Sequence, residues 1–229
     1  MEELHGGYTL EIAEQEFPLS TDSMVLAYFA RLPRQARVLD LGSGCGTLGL
    51  LLCSKDPGCH VTGIEISESA HTAALENIRR NGLETRLCSI HADLRDLPVN
   101  IAPGSFSICI SNPPYFSGGA PSTTVPTARQ DNCCTPNDLF QSAAQCLKYG
   151  GDFFLVHKPE KLAQLIGCAN TVGLEAKRLM LLRHREGGPI NLIFLQFRKG
   201  GKPGLQWEEQ CLSDALGMPT PFYREVYHL

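Results

Sequence analysis

The run Asn112-Pro113-Pro114-Tyr115-Phe116 brings together groups that can grip a flat molecule bearing an amino group. The carboxamide oxygen of Asn112 and the main-chain carbonyl of Pro113 are two acceptors. Together they can take both hydrogens of an –NH2 group and so turn its nitrogen lone pair toward an electrophile lying in line. The two prolines stiffen the turn that carries these acceptors. Tyr115 and Phe116 offer rings on which a planar group can stack. An asparagine is not a base at ordinary pH, so its part is orientation and polarisation, and its grip tightens as the nitrogen gains positive charge. Taken alone, the run reads better as a Pro-Pro turn with two buried aromatics. A second constellation upstream reverses that preference.

That constellation is Asp40-Leu41-Gly42-Ser43-Gly44-Cys45-Gly46, followed by Glu65 and Asp93. Glycines between a strand and a helix let the backbone pass close to a ligand, and the helix start offers unpaired amide donors. An acid at the end of the next strand suits ribose hydroxyls. A dinucleotide site would show Gly-x-Gly-x-x-Gly facing a pyrophosphate. Here the spacing is Gly-x-Gly-x-Gly, and Asp40 brings a negative charge that a pyrophosphate would oppose but the ammonium of a methionine tail would welcome. The cofactor expected is therefore S-adenosylmethionine. Asp93 is placed to accept from an adenine amino group, although an acid closing a turn explains it equally well. The chemistry is direct displacement at a methyl carbon, driven chiefly by in-line positioning of nitrogen, carbon and sulfur. Because the leaving group is already good, no metal and no nucleophilic side chain are expected.

The elements that must position these residues follow from patterning. Apolar runs at 37–41, 60–64, 85–91, 106–111 and 152–157 alternate with helical stretches, which predicts βαβ units and a largely parallel sheet. Helices are expected at 46–54, after a Ser67 cap up to Asn81-Gly82, from Thr135-Pro136 to Gly150-Gly151, and from Pro159. Residues 174–182 and 190–197 read as a closing strand pair around Gly187-Gly188-Pro189. Residues 1–35 read as a lead-in arm with a short helix over 23–32, and 36–229 as the catalytic domain.

Composition limits the alternatives. At 229 residues, 43% hydrophobic and 19% charged, the chain is of globular type, and no apolar run is long enough to span a bilayer. No basic-then-apolar leader is visible, so a cytoplasmic location is expected. The ten cysteines show no Cys-x-x-Cys spacing and read as reduced core residues. The net charge of −4 counts mildly against a dedicated nucleic-acid binder. Residues 177–202, however, hold seven Lys or Arg against one acid, Glu186, and are either a solvated face or a contact for phosphates.

As a set, Asp40-x-Gly42-x-Gly44-x-Gly46, Glu65, Asp93 and Asn112-Pro113-Pro114-Tyr115 resemble the class I amino-methyltransferases. The resemblance implies a Rossmann-like α/β fold, with a seven-stranded, mostly parallel sheet whose last strand is antiparallel. It implies that Asp40, Gly42, Ser43, Gly44 and Gly46 hold the methionine part, Glu65 the ribose and Asp93 the adenine, with Ile66, Leu94 and Asn112 also in the cofactor site. Asn112, Pro113, Pro114 and Tyr115 would form the catalytic turn. Phe17-Pro18-Leu19-Ser20-Thr21-Asp22-Ser23-Met24-Val25-Leu26-Ala27 and Lys199-Gly200-Gly201-Lys202-Pro203-Gly204-Leu205 resemble two stretches of the tRNA(Val) adenine-N6 methyltransferases. That family methylates the adenine just 3′ of the anticodon, a loop base that is cheaper to extrude than one in a duplex. The substrate contacts so implied are Tyr115, Phe116 and Arg129, with Lys199 and Lys202 on RNA phosphates. Val25 and Ala128-Arg129-Gln130-Asp131 depart from that family's usual Leu and Ala-Arg-His-Glu. Protein glutamine N5-methyltransferases and rRNA guanine-N2 methyltransferases share the Asn-Pro-Pro-Tyr turn and are the alternatives. A non-catalytic module that keeps the fold and a dinucleotide oxidoreductase are more remote.

Overall fold

The computed structural model describes residues 2–12, 19–113 and 134–228. Pro114, Tyr115, Phe116 and Arg129 therefore lie outside the described residues, as do Phe17 and Pro18. In chain order the elements are β1 (Glu2–Glu3), β2 (Thr9–Leu10), α1 (Thr21–Phe29), β3 (Arg37–Leu41), α2 (Thr47–Lys55), β4 (His60–Glu65), α3 (Glu68–Arg80), β5 (Leu87–His91) and β6 (Phe106–Ser111). They continue with α4 (Pro136–Cys146), β7 (Leu147–His157), α5 (Leu162–Thr171), β8 (Leu174–Arg185), β9 (Ile190–Lys199), β10 (Gln206–Ser213) and α6 (Pro221–Tyr227).

Eight strands form one sheet in the order β10-β8-β9-β7-β6-β3-β4-β5. Only β9 runs against its neighbours, β7 and β8; every other pair is parallel. The C-terminal ends of the parallel strands thus share one edge of the sheet, and Lys199, at the end of β9, lies at the other.

Strand alternation splits the core in two, as a sheet covered on both faces requires. Val38, Val61, Ile108, Ile110, Phe154 and Phe194 face α1, α2 and α3. Leu39, Leu41, Cys109, Phe153, Ile193 and Phe197 face α4 and α5. Cys45, Cys53, Cys59, Cys109, Cys146 and Cys168 are buried within these cores as small apolar side chains. The helices begin where capping chemistry allows. Ser67 accepts from the Ala70 amide, and Thr135 and Asp138 form a reciprocal capping box before Pro136.

Two expectations need correcting. Helix α4 ends at Cys146 rather than at the glycine pair, and β7 begins at once with Leu147. Gly150-Gly151 lie inside that strand, where the register against β6 slips between Phe106 and Ile108. Gly150 has φ 76°, and a side chain at 151 would press on the Lys148 and Ser107 carbonyls at 3.0 Å. The glycines thus make a bulge and do not stop the helix. Second, the expected seven-stranded frame, with its antiparallel seventh strand β9, carries an additional edge strand, β10, parallel to β8. Its sequence, QWEEQCLS, is too polar to announce a strand. Its carboxylates supply the reason it docks: Glu208 pairs with Arg178 at 3.1 Å and Glu209 with Arg183 at 2.5 Å.

Phe140 is fully buried and meets Phe153 and Phe197 edge-to-face, at 5.3 and 5.1 Å between ring centroids. Phe140→Ala is expected to cost about 3–5 kcal/mol, read as a lower urea midpoint with an unchanged slope.

Candidate active site

Strand β3 delivers Asp40 into the sheet, where it is only 1% exposed. Its Oδ1 has no hydrogen-bond partner. Burial, reinforced by the neighbouring Glu65 carboxylate, pushes its carboxyl up to about 8. The chain then turns through Gly42, Gly44 and Gly46, with φ of 78°, 54° and 85°, which a side chain would strain. At Gly42 and Gly44 an added Cβ would meet nothing within 4 Å, so the backbone there borders open space. The Gly42 and Ser43 amides donate to the Ile64 carbonyl at 2.9 and 3.0 Å, tying the loop to β4. The buried Glu65 accepts from the Gly44 amide through Oε2 at 2.8 Å and from the Ser67 amide through Oε1 at 2.7 Å. One carboxylate therefore joins the glycine loop to the start of α3.

Gly63 was not singled out in the sequence, yet a Cβ there would sit 2.5 Å from Ser43 Oγ. Only glycine leaves room for Ser43, whose hydroxyl, like Asp40 Oδ1, is buried without a partner. Such atoms are costly unless a ligand satisfies them. A partnerless buried carboxylate oxygen beside open glycine backbone fits the ammonium of a methionine moiety. Ile66, next to Glu65, is 52% exposed, an apolar side chain at the mouth with nothing covering it. His91 Nε2 lies 3.0 Å from the Ile66 carbonyl and links the ends of β4 and β5. These residues fit S-adenosylmethionine.

Asp93 sits in a turn. Its carboxylate accepts from the Arg95 amide at 2.8 Å and grips the Arg95 guanidinium at 2.6–3.0 Å, which holds its carboxyl below the usual range. The turn-closing reading of Asp93 describes what is seen. Leu94 packs against the second core, and its carbonyl accepts from Ser142 Oγ at 2.7 Å.

Asn112 reaches the same edge along β6. Ser111 Oγ donates to the Leu41 carbonyl at 2.6 Å, locking the end of β6 to the start of the glycine loop. Asp40 pairs in register with Ile110, two residues before Asn112. The Asn112 amide nitrogen donates to Ser23 Oγ of α1 at 3.0 Å. Pro113 is buried.

Lys199 and Lys202 are not brought to this site. Lys199 ends β9 and Lys202 lies just past it, and the strand steps from Asp152 to His157, which run alongside β9, span roughly 16 Å. The Lys199 ammonium is committed inside the protein, donating to the Ala144 and Leu147 carbonyls at 2.6 and 2.8 Å. It closes the C-terminus of α4. Six of the seven basic groups over 177–202 make internal bonds: Lys177, Arg178, Arg183, Arg185, Arg198 and Lys199. The basic run is mainly structural.

Asp40→Asn is expected to weaken S-adenosylmethionine binding at least 100-fold, in line with about 3–5 kcal/mol for breaking a buried charge pair, measured by calorimetry. Because the folded-state value is raised, the cofactor-free protein should lose stability as pH rises from about 4 toward about 8. The asparagine variant should flatten that slope in thermal scans. Lys199→Ala should cost about 1–3 kcal/mol of stability, read as a lower thermal midpoint.

Comparison with known proteins agrees with this geometry. The methyltransferase small domain matches residues 20–172. Among curated relatives, the tRNA1(Val) (adenine(37)-N6)-methyltransferase of Tolumonas auensis is 31% identical, over 89% of this chain and 85% of that protein. The protein of the same name from Photobacterium profundum is 29% identical, over 86% and 84%. Among solved structures, a predicted O-methyltransferase from Agrobacterium tumefaciens superposes with a TM-score of 0.77 at 20% identity, over 91% of this chain and 96% of that one. A geranyl diphosphate C-methyltransferase from Streptomyces coelicolor, solved with S-adenosyl-L-homocysteine, gives 0.58 at 12% identity, over 77% and 76%. Among the described residues no helix is long and apolar enough to cross a membrane, and no cluster of His, Cys, Asp or Glu is placed to hold a metal ion. The chain belongs to the methyltransferase small domain family and is an S-adenosylmethionine-dependent N-methyltransferase.

Proposed function

We propose that this enzyme methylates the exocyclic N6 of an adenine in tRNA, at the position 3′ of the anticodon, in the cytoplasm. The observation that carries the reading is Asn112, fixed at the end of β6 beside the glycine loop, with its amide nitrogen already engaged by Ser23. That leaves the carboxamide oxygen to accept from an amino group. The relatives whose names specify tRNA1(Val) adenine 37 support the choice of base and of RNA.

When bound, S-adenosylmethionine supplies a methyl group on a cationic sulfur that departs as the thioether of S-adenosyl-L-homocysteine. The protein's own task is to hold and orient. Asp40 would take the methionine ammonium, with the Gly42, Ser43, Gly44 and Gly46 backbone passing close along the methionine chain. Glu65 would take the ribose, with Ile66 and Leu94 against the adenine and Asp93 at its edge. Asn112 Oδ1 and the Pro113 carbonyl would accept the two hydrogens of the target amine, and Tyr115 and Phe116 would stack on its ring beside the Pro114 turn. As the new N–C bond forms and the C–S bond breaks, positive charge grows on nitrogen. Both acceptors then bind more strongly, which favours the transition state over the ground state. The proton finally leaves to water. Arg129 is a further substrate contact that the resemblance implies.

The test is methyl transfer from labelled S-adenosylmethionine to undermodified tRNA, with rRNA and release factors in parallel, followed by nucleoside analysis. N6-methyladenosine in tRNA is expected. Label on guanine or in protein would overturn the substrate and keep the N-methyl chemistry. Asn112→Ala is expected to lower kcat about 100- to 1000-fold while cofactor affinity changes less than threefold. Full activity in that variant would remove Asn112 from the mechanism.

A further inference from the structure

We propose that Ser23, on the N-terminal arm, is a positioning residue that anchors the Asn112 carboxamide through its nitrogen so that its oxygen is held for the target amine. This rests on the reading of Asn112 given above.

A carboxamide carries an acceptor and a double donor on one carbon. The torsion that exchanges them is broad and nearly two-fold, so nothing within the asparagine selects between the two. Only one choice works. The oxygen toward an –NH2 group makes a hydrogen bond, whereas the nitrogen toward it sets donor against donor. Outside contacts have to hold the productive choice, and Ser23 Oγ accepts from Asn112 Nδ2 at 3.0 Å across 89 residues of sequence; a hydroxyl can also donate, so the bond holds the carboxamide in place and the incoming amine, a donor, completes the choice.

The serine is well placed to hold this contact. It is 7% exposed, and its amide donates to the Ser20 cap at 3.3 Å. The helix beneath it is held at several points. Thr21 Oγ1 lies 3.0 Å from the Tyr227 hydroxyl, and Tyr28 donates to Glu225 at 2.5 Å. Phe29 packs on Phe154 and Phe194, at 6.0 and 6.1 Å between ring centroids. The other side of the contact is equally firm, because Ser111 fixes the strand end that bears Asn112. Two firmly held elements meet through one side-chain bond, which engages the nitrogen end of the carboxamide.

The test uses the whole chain with Ser23→Ala, Ser23→Thr, Asn112→Ala and the Ser23→Ala/Asn112→Ala pair. In the cofactor-free protein, the 15N-labelled Asn112 side-chain amide should exchange its protons with water about tenfold faster in Ser23→Ala, and near the wild-type rate in Ser23→Thr. With undermodified tRNA as acceptor, Ser23→Ala should lower kcat about 10- to 100-fold with S-adenosylmethionine affinity and KM for tRNA within twofold; Ser23→Thr should restore it. The double variant should be no slower than Asn112→Ala alone, since there is then no amide left to orient. Unchanged exchange in Ser23→Ala overturns the proposal, as does wild-type kcat in that variant when Asn112→Ala is slow. A further drop in the double variant would assign Ser23 a role independent of Asn112 and also overturn it. If Asn112→Ala itself keeps full turnover while the exchange result holds, the mechanism of the preceding section fails and the Ser23–Asn112 bond stands as structure alone.

Discussion

A carboxylate placed inside a parallel sheet with one oxygen unpartnered is a burden on the fold, and Asp40 is such a group. Burial and the neighbouring Glu65 carboxylate push its carboxyl up to about 8, in the direction of the neutral acid. The surrounding structure makes sense as support for that position. Gly63 leaves room for Ser43, Glu65 draws the glycine loop and the start of α3 together, and Ser111 ties β6 to Leu41. Each contact fixes a strand end against its neighbour, so the sheet edge is rigid before anything binds. A site built this way loses little order on binding, and the energy of cationic contact with Asp40 is available for affinity.

The parallel register supplies the second requirement. Because β3, β4, β5 and β6 end on one edge, Asp40, Glu65, Asp93 and Asn112 converge although they span 73 positions of sequence. The single reversed strand, β9, carries its last residues away from that edge. Sequence proximity of Lys199 and Lys202 to the closing strand pair therefore said nothing about proximity to the site.

Much of this was legible in the chain. The alternation of Val38, Asp40 and their neighbours, the glycine spacing and the Asn112 turn identified the parallel frame and its loaded edge, because local pattern dictates those features. What stayed hidden depends on contacts far apart in sequence. Nothing around Ser23 distinguishes it from any serine in the first turn of a helix; only the fold sets it against Asn112. Gly63 looks like a weak point in a strand until Ser43 lies across it. Gln206 to Ser213 lacks the apolar alternation of a strand and becomes one only because β8 offers an open ladder and arginines opposite Glu208 and Glu209. Nor did the sequence show that Asp93 holds Arg95 or that Lys199 closes the end of α4, since those partners too are set by the fold.

The added strand β10 also decides how the molecule meets its own copies at high concentration. Without it, β8 would end the sheet with twelve residues offering a row of unpaired amides and carbonyls, the kind of border that recruits a foreign strand. With it, the border becomes eight mostly polar residues bearing adjacent glutamates, each already held by an arginine behind it. A neighbouring chain would have to pair with a strand whose four leading residues are solvated and whose charges repel an identical edge. The same ion pairs that quiet the basic run thus act as a stopper on sheet growth, protecting a fold whose long central strands would otherwise be prone to fibrillar self-association.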